Sequence, residues 1–114
     1  MISKIQQKDI LLVPFPFSNQ QGNKFRPVLV FSNTQFNKCS EDVIVMAITS
    51  NISKDLFSVF LDSQDIVEGI LRDDCCVKVE SILKLDKNLI IKKLGTINEE
   101  KFEEVVETFD SIVK

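Results

Sequence analysis

Arg26 and Thr49 are the residues whose types and positions point most directly to chemistry. Arg26 heads the apolar run RPVLVFSN, and Thr49 closes a second apolar run, DVIVMAITSN. A guanidinium offers a planar fork of donors to a phosphate and stays charged at any working pH. The chain has no His, Tyr or Trp, so any charge chemistry falls to arginine, lysine, carboxylates and hydroxyls. Each residue also has a plainer reading. Arg26 can snorkel at a strand start and pair with a carboxylate. Thr49-Ser50-Asn51 is a strand exit whose hydroxyl and amide side chains suit a local turn. The two act together only if their strands bring their ends to one rim of the fold.

Other polar groups extend the list of candidates. Ser18, Asn19, Gln20, Gln21, Gly22, Asn23 and Lys24 form a loop of amides, one glycine and a base. Such a loop can follow a phosphodiester backbone or meet a base edge. Ser50 and Asn51 are weaker candidates for the same task. Arg72-Asp73-Asp74 is a second cluster. Neighbouring residues of a strand point to opposite faces, so the two carboxylates are expected to serve a turn with a local salt bridge and not joint acid–base or metal work. Cys39, Cys75 and Cys76 are an odd set with two adjacent members, a poor disulfide framework and no zinc pattern. They read as free thiols. Neither a phosphate-binding glycine loop nor a nucleophile elbow occurs, and no cofactor is expected.

The elements that must position these groups are mostly strands. Residues 10–13 form an apolar run that ends in Pro14-Phe15-Pro16-Phe17, where the missing proline donors end a strand or hold it at an edge. Residues 28–31 and 43–48 are apolar throughout and rich in β-branched side chains, as strands buried on both faces are. Residues 34–40 are polar and irregular, with room for a single helical turn. Residues 57–61 form a short strand, 63–69 a loop or short helix, 76–82 a half-exposed strand by alternation, and 89–94 one more short strand. Phe102, Val105, Val106, Phe109, Ile112 and Val113 repeat with the period of an amphipathic helix. Asn98 is its N-cap, Ile97 and Phe102 its hydrophobic staple, and Glu99 and Glu100 its first-turn anions. The sum is a mainly β fold with a C-terminal α-helix, a small barrel or sandwich in one domain spanning 1–114.

The net charge is −3, which by itself argues against a nucleic-acid binder. Most of that charge sits in the last helix, and residues 1–95 are close to neutral, so a locally positive groove is compatible with it. No apolar run is as long as a membrane span, and the polar start MISKIQQKDI lacks a signal-peptide core. The expected setting is cytoplasmic, with no membrane partner.

The runs DILLVPFPF, KFRPVLVFSN, DVIVMAITSN and GILRDDCCVKVESILKLDK together resemble the MazF/PemK toxins of toxin–antitoxin modules, over most of the chain. The resemblance implies an SH3-like barrel of the CcdB/MazF kind, assembled as a homodimer. It also implies a metal-independent endoribonuclease (an mRNA interferase) that cuts single-stranded RNA at short sequences. Its catalytic pair falls on Arg26 and Thr49, and its partner is a cognate antitoxin whose acidic tail occupies the RNA groove. This chain departs from the family pattern at three places. Lys8 stands where many members have Gly. Gln21, an amide that cannot act as a general base, stands where some have Glu. Asp73-Asp74 replaces an Asp-Ser pair, with a one-residue shift. Two rival readings remain: a CcdB-like toxin that binds gyrase and cuts nothing, and a catalytically degenerate member that only binds RNA or antitoxin.

Overall fold

The computed structural model describes residues 4–14, 25–52 and 56–114. Seven strands form one antiparallel sheet curled into a half-barrel, with a long helix at the C-terminus. The strands are β1 (Asp9–Pro14), β2 (Phe25–Val30), β3 (Asp42–Thr49), β4 (Ser58–Leu61), β5 (Ile66–Gly69), β6 (Cys75–Asp86) and β7 (Lys92–Ile97). A short helix, α1 (Thr34–Cys39), joins β2 to β3, and α2 (Glu99–Val113) ends the chain. The order across the sheet is β4-β6-β3-β2-β1-β7-β5.

The central strands carry apolar side chains on both faces, as their unbroken runs predict. Leu29, Met46, Ile48 and Val77 face one cluster of buried residues, which Phe102 and Val105 of α2 complete. Leu11, Val13, Val28, Val30, Val43 and Val45 face the other. Alternation along each strand makes this division. α2 seats its apolar stripe on the first cluster, where Phe31 packs against Phe102 and Phe109 with ring centroids 5.9 and 5.1 Å apart. Asn98 caps the helix as expected, its side chain accepting from the Lys101 N–H at 2.7 Å. The stripe frays at its end, where Ile112 and Val113 are exposed. Among the described residues no helix is long and apolar enough to cross a membrane.

Three elements differ from the sequence expectation. Residues 66–69 are not loop or helix but the edge strand β5, because backbone pairing with β7 organises a segment that has no periodic signal of its own. The strand expected over 76–82 runs from Cys75 to Asp86. Its register against β3 jumps from Lys78 opposite Ala47 to Ile82 opposite Met46, and this bulge turns the strand so that both halves can pair while the sheet curls. The strand expected over 89–94 begins at Lys92, after a 3-10 turn over 87–89, and continues to Ile97.

The chain enters β1 through a tight turn. The Asp9 N–H donates to the Gln6 carbonyl at 3.1 Å, and Lys8 between them has φ of 82°. A positive φ at the third residue of a four-residue turn suits glycine, which gives a physical reason for the glycine that the resemblance expects at this point. Lys8 is held there from both sides, donating to the Val30 carbonyl and accepting from the Ile97 N–H, each at 3.0 Å. Its side chain pairs with Glu99 at the start of α2. A left-handed lysine costs about 1–2 kcal/mol, whereas an exposed ion pair contributes at most about 1 kcal/mol. Lys8→Gly is therefore expected to leave stability unchanged or raise it by up to ~1 kcal/mol, read as the midpoint of urea unfolding. A loss of more than about 1 kcal/mol would show that the Glu99 pair outweighs the backbone strain.

Candidate functional site

β2 and β3 pair with Val30 opposite Val45, Leu29 opposite Met46 and Val28 opposite Ala47. Continued by two residues, the same register sets Arg26 opposite Thr49. Both lie inside their strands, Arg26 as the second residue of β2 and Thr49 as the last of β3. Arg26 shares a face with Val28 and Val30, and Thr49 shares a face with Ala47 and Val45, so the two side chains leave the sheet on the same side and at the same end. The outer neighbours of this row are Val13 on β1, opposite Arg26, and Cys76 on β6, opposite Thr49. Both of those are buried, whereas Arg26 and Thr49 are half-buried. The apolar flanks thus leave the guanidinium and the hydroxyl as the polar part of the row.

The Thr49 hydroxyl oxygen accepts from the Asn51 N–H at 3.1 Å, so the turn reading of this strand exit is correct as far as it goes. That bond uses a lone pair and leaves the hydroxyl proton available for donation. Asn51 contributes its backbone to the exit. Ser50 is exposed and lines the neighbouring cleft. Ser18, Asn19, Gln20, Gln21 and Lys24 lie outside the described residues.

A cleft of about 580 Å³ opens beside Arg26, between the start of β2, the exit of β3 and the segment that leads into β6. Ile48, Ile66 and Leu94 form much of its apolar wall, with Phe25 half-exposed. Gly95 lines it too, and a Cβ there would stand 2.7 Å from the Glu68 carbonyl oxygen; backbone therefore forms the wall at that point. Arg72, Asp73 and Asp74 also line it. The sequence reading assigned these three to a turn with a local salt bridge. They occupy the bend before β6 and not a strand, so alternation does not send the two carboxylates to opposite faces. Among the described residues no Arg72 ion pair forms with either. Only the pairing of Cys76 with Thr49 brings this segment to the end of β3, and nothing in the local sequence announces that pairing.

Two further polar groupings lie elsewhere. Asp9 is 1% exposed and is satisfied by the Gln6 N–H, the Thr96 hydroxyl and the Lys93 ammonium, the last at 3.4 Å. Lys93 also bonds Glu68 at 2.8 Å, which lowers the carboxyl of Glu68 and raises the ammonium of Lys93 from their ordinary values. This network ties β1, β5 and β7 together. The second is the run of glutamates along α2, including Glu99, Glu103 and Glu107, a surface that repels polyanions. Among the described residues no three His, Cys, Asp or Glu side chains are grouped to hold a metal ion.

The sequence pattern of the PemK-like, MazF-like toxins of type II toxin–antitoxin systems matches residues 6–113. The chain belongs to this family. It is 34% identical over 99 residues to the Endoribonuclease MazF of Staphylococcus saprophyticus, covering 87% of this chain and 80% of that protein. Solved structures in the same family share the fold at low identity. The Mycobacterium tuberculosis toxin MazF-mt6 superposes with a TM-score of 0.75 at 17% identity, over 92% of this chain and 95% of the other. A MazE-MazF crystal structure from Deinococcus radiodurans gives 0.78 at 19% identity, over 98% and 97%. The half-barrel with a C-terminal helix is therefore the family fold, as the resemblance implied.

The three cysteines are free thiols, Cys39 exposed and Cys75 and Cys76 buried. Burial first, then the Cys76 thiol and the carboxylates of Asp74, Asp65 and Asp73, push the Cys75 thiol up from 9.0 to about 11. A raised value means that the folded state holds this proton more tightly than the unfolded one. The resulting stability is complete below pH 9 and is lost as pH climbs to about 11. Native protein at pH 8 is expected to react rapidly with a thiol reagent at Cys39 alone. Between pH 9 and 11 the wild-type chain should lose roughly 2 kcal/mol more stability than Cys75→Ala does. Parallel urea curves for the two proteins across that range would contradict the raised thiol.

Proposed function

We propose that this chain is an endoribonuclease toxin that cleaves single-stranded RNA at short sequences without a metal, with Arg26 and Thr49 as its catalytic pair. The register that sets Arg26 opposite Thr49 carries this reading. Family membership supports the reaction class, since a relative at 34% identity bears the name Endoribonuclease MazF.

The chemistry needs little beyond these two groups. In RNA the 2′-hydroxyl oxygen attacks the adjacent phosphorus, and the bond from phosphorus to the 5′-oxygen breaks. A 2′,3′-cyclic phosphate forms. The proton lost from the 2′-hydroxyl is balanced by the one gained at the leaving 5′-oxygen, so the second product ends in a 5′-hydroxyl. Negative charge grows on the non-bridging oxygens as the fifth bond forms. A fixed guanidinium stabilises that charge more than it stabilises the ground state. The Thr49 hydroxyl, held by Asn51 and still able to donate, positions the phosphate. In this reaction Arg26 supplies the positive charge. Ser50 and Asn51, with the loop 18–24, would contact the flanking nucleotides.

Partners follow the same reasoning. An endoribonuclease from a Mycobacterium species has been solved with its cognate antitoxin, and an antitoxin is the proposed partner here. Exposed apolar side chains along the β4 edge, Leu56 and Phe60 among them, favour a homodimer that covers them.

Incubated with a long single-stranded RNA in EDTA, the wild-type chain should cut at a limited set of sites and leave 5′-hydroxyl ends. Arg26→Ala should lower the rate by about 10²–10³-fold, and Thr49→Ala by a smaller factor. Uncut RNA, or equal cutting by Arg26→Ala, would remove the assignment. Sedimentation at micromolar concentration should show a dimer, and a monomer would rule out the proposed assembly.

A further inference from the structure

We propose that the cleft beside Arg26 is a nucleobase pocket that selects a base bearing an amino group, with Asp73 and Asp74 accepting its N–H donors. The inference rests on the ribonuclease reading for its ligand and on the cleft's own composition for its selectivity.

The volume of about 580 Å³ falls within the range of pockets that enclose small ligands, roughly 300–1,000 Å³. The wall of Ile48, Ile66 and Leu94 suits the flat face of an unstacked base. Phe25, 50% exposed beside Arg26, offers an aromatic surface of the kind on which single-stranded bases stack. Thr49 is not part of the lining, whereas Arg26 and Ser50 are. The cleft, whose apolar wall lies on the first-cluster side of the sheet, thus meets the proposed row at Arg26 and would receive the base of a nucleotide beside the scissile phosphate.

The charges that line it decide which base. Arg72 matches the phosphate that precedes or follows the inserted nucleotide. Asp73 and Asp74 have the wrong sign for any phosphate, so their presence in an RNA site calls for a different ligand group. Carboxylates accept hydrogen bonds only. Adenine, cytosine and guanine each carry an exocyclic amino group that donates. Uracil offers a single ring N–H, and the two carbonyls that flank it repel a carboxylate set against that edge. The pocket thus admits amino-bearing bases and disfavours uracil. Among the described residues neither aspartate has an ion pair, which leaves their oxygens open to such donors.

Binding to 2′-O-methyl hexanucleotides tests this without cleavage, because the attacking hydroxyl is blocked. Oligocytidine and oligouridine differ mainly in amino against keto groups. The wild-type protein is expected to bind the cytidine hexamer about tenfold more tightly than the uridine one, the worth of one hydrogen bond to a charged group. Asp73→Asn with Asp74→Asn should bring the ratio close to one, since an amide both accepts and donates. A thermal melt of the double variant checks that it is folded. A wild-type ratio near one, or a ratio that persists in the folded double variant, overturns the proposal. RNA left uncut in EDTA alongside a retained cytidine preference would sink the ribonuclease reading and spare the pocket.

Discussion

Three residue pairs between β2 and β3 decide where the chain's early guanidinium stands. Val28, Leu29 and Val30 oppose Ala47, Met46 and Val45, and the valines and Leu29 have no exposed surface. A slip of one residue would carry each of these side chains to the opposite face of the sheet. It would also send Arg26 and Thr49 to different sides. Hydrophobic burial therefore holds the ends of β2 and β3 that carry Arg26 and Thr49 in register. This is an economical arrangement for a small domain: rigid, doubly buried strands end in polar groups, and those groups inherit the precision of the core.

The rest of the fold shapes what lies beside that row. β6 is long enough to pair with both β3 and β4, and its bulge curls the sheet. β7 and β5 meet through Gly95 and Gly69, where backbone approaches too closely for side chains. The cleft lies between these walls. α2 packs on the first cluster, and none of its residues lines the cleft. Its glutamates thus face solvent away from the proposed substrate site, so the chain's overall negative charge is no obstacle to a polyanion binding near Arg26.

Much of this architecture was legible in the sequence because it is written in local patterns. Unbroken β-branched runs mark β2 and β3, the prolines after residue 13 mark the end of β1, and a 3.6-residue period with an Asn cap marks α2. Arg26 and Thr49 stood out because each ends such a run. β5 escaped because residues 66–69 have no periodicity, and the cleft escaped because it is assembled from five separate stretches of chain. Asp73 and Asp74 do lie in a turn-like segment, as expected, but the local salt bridge with Arg72 does not form among the described residues.

The residue types alone determined which chemistry was open to this chain, namely a permanently charged guanidinium, hydroxyls and carboxylates with no imidazole, and they determined which segments had to be buried. Which polar groups share one rim was decided by tertiary structure. Strand order, register and bulges depend on contacts between residues far apart in the chain, and no local period encodes them. That is why the placing of Arg26 and Thr49 at one end of the sheet, and of Asp73 and Asp74 in a cleft with Arg26, emerges only once the sheet is formed.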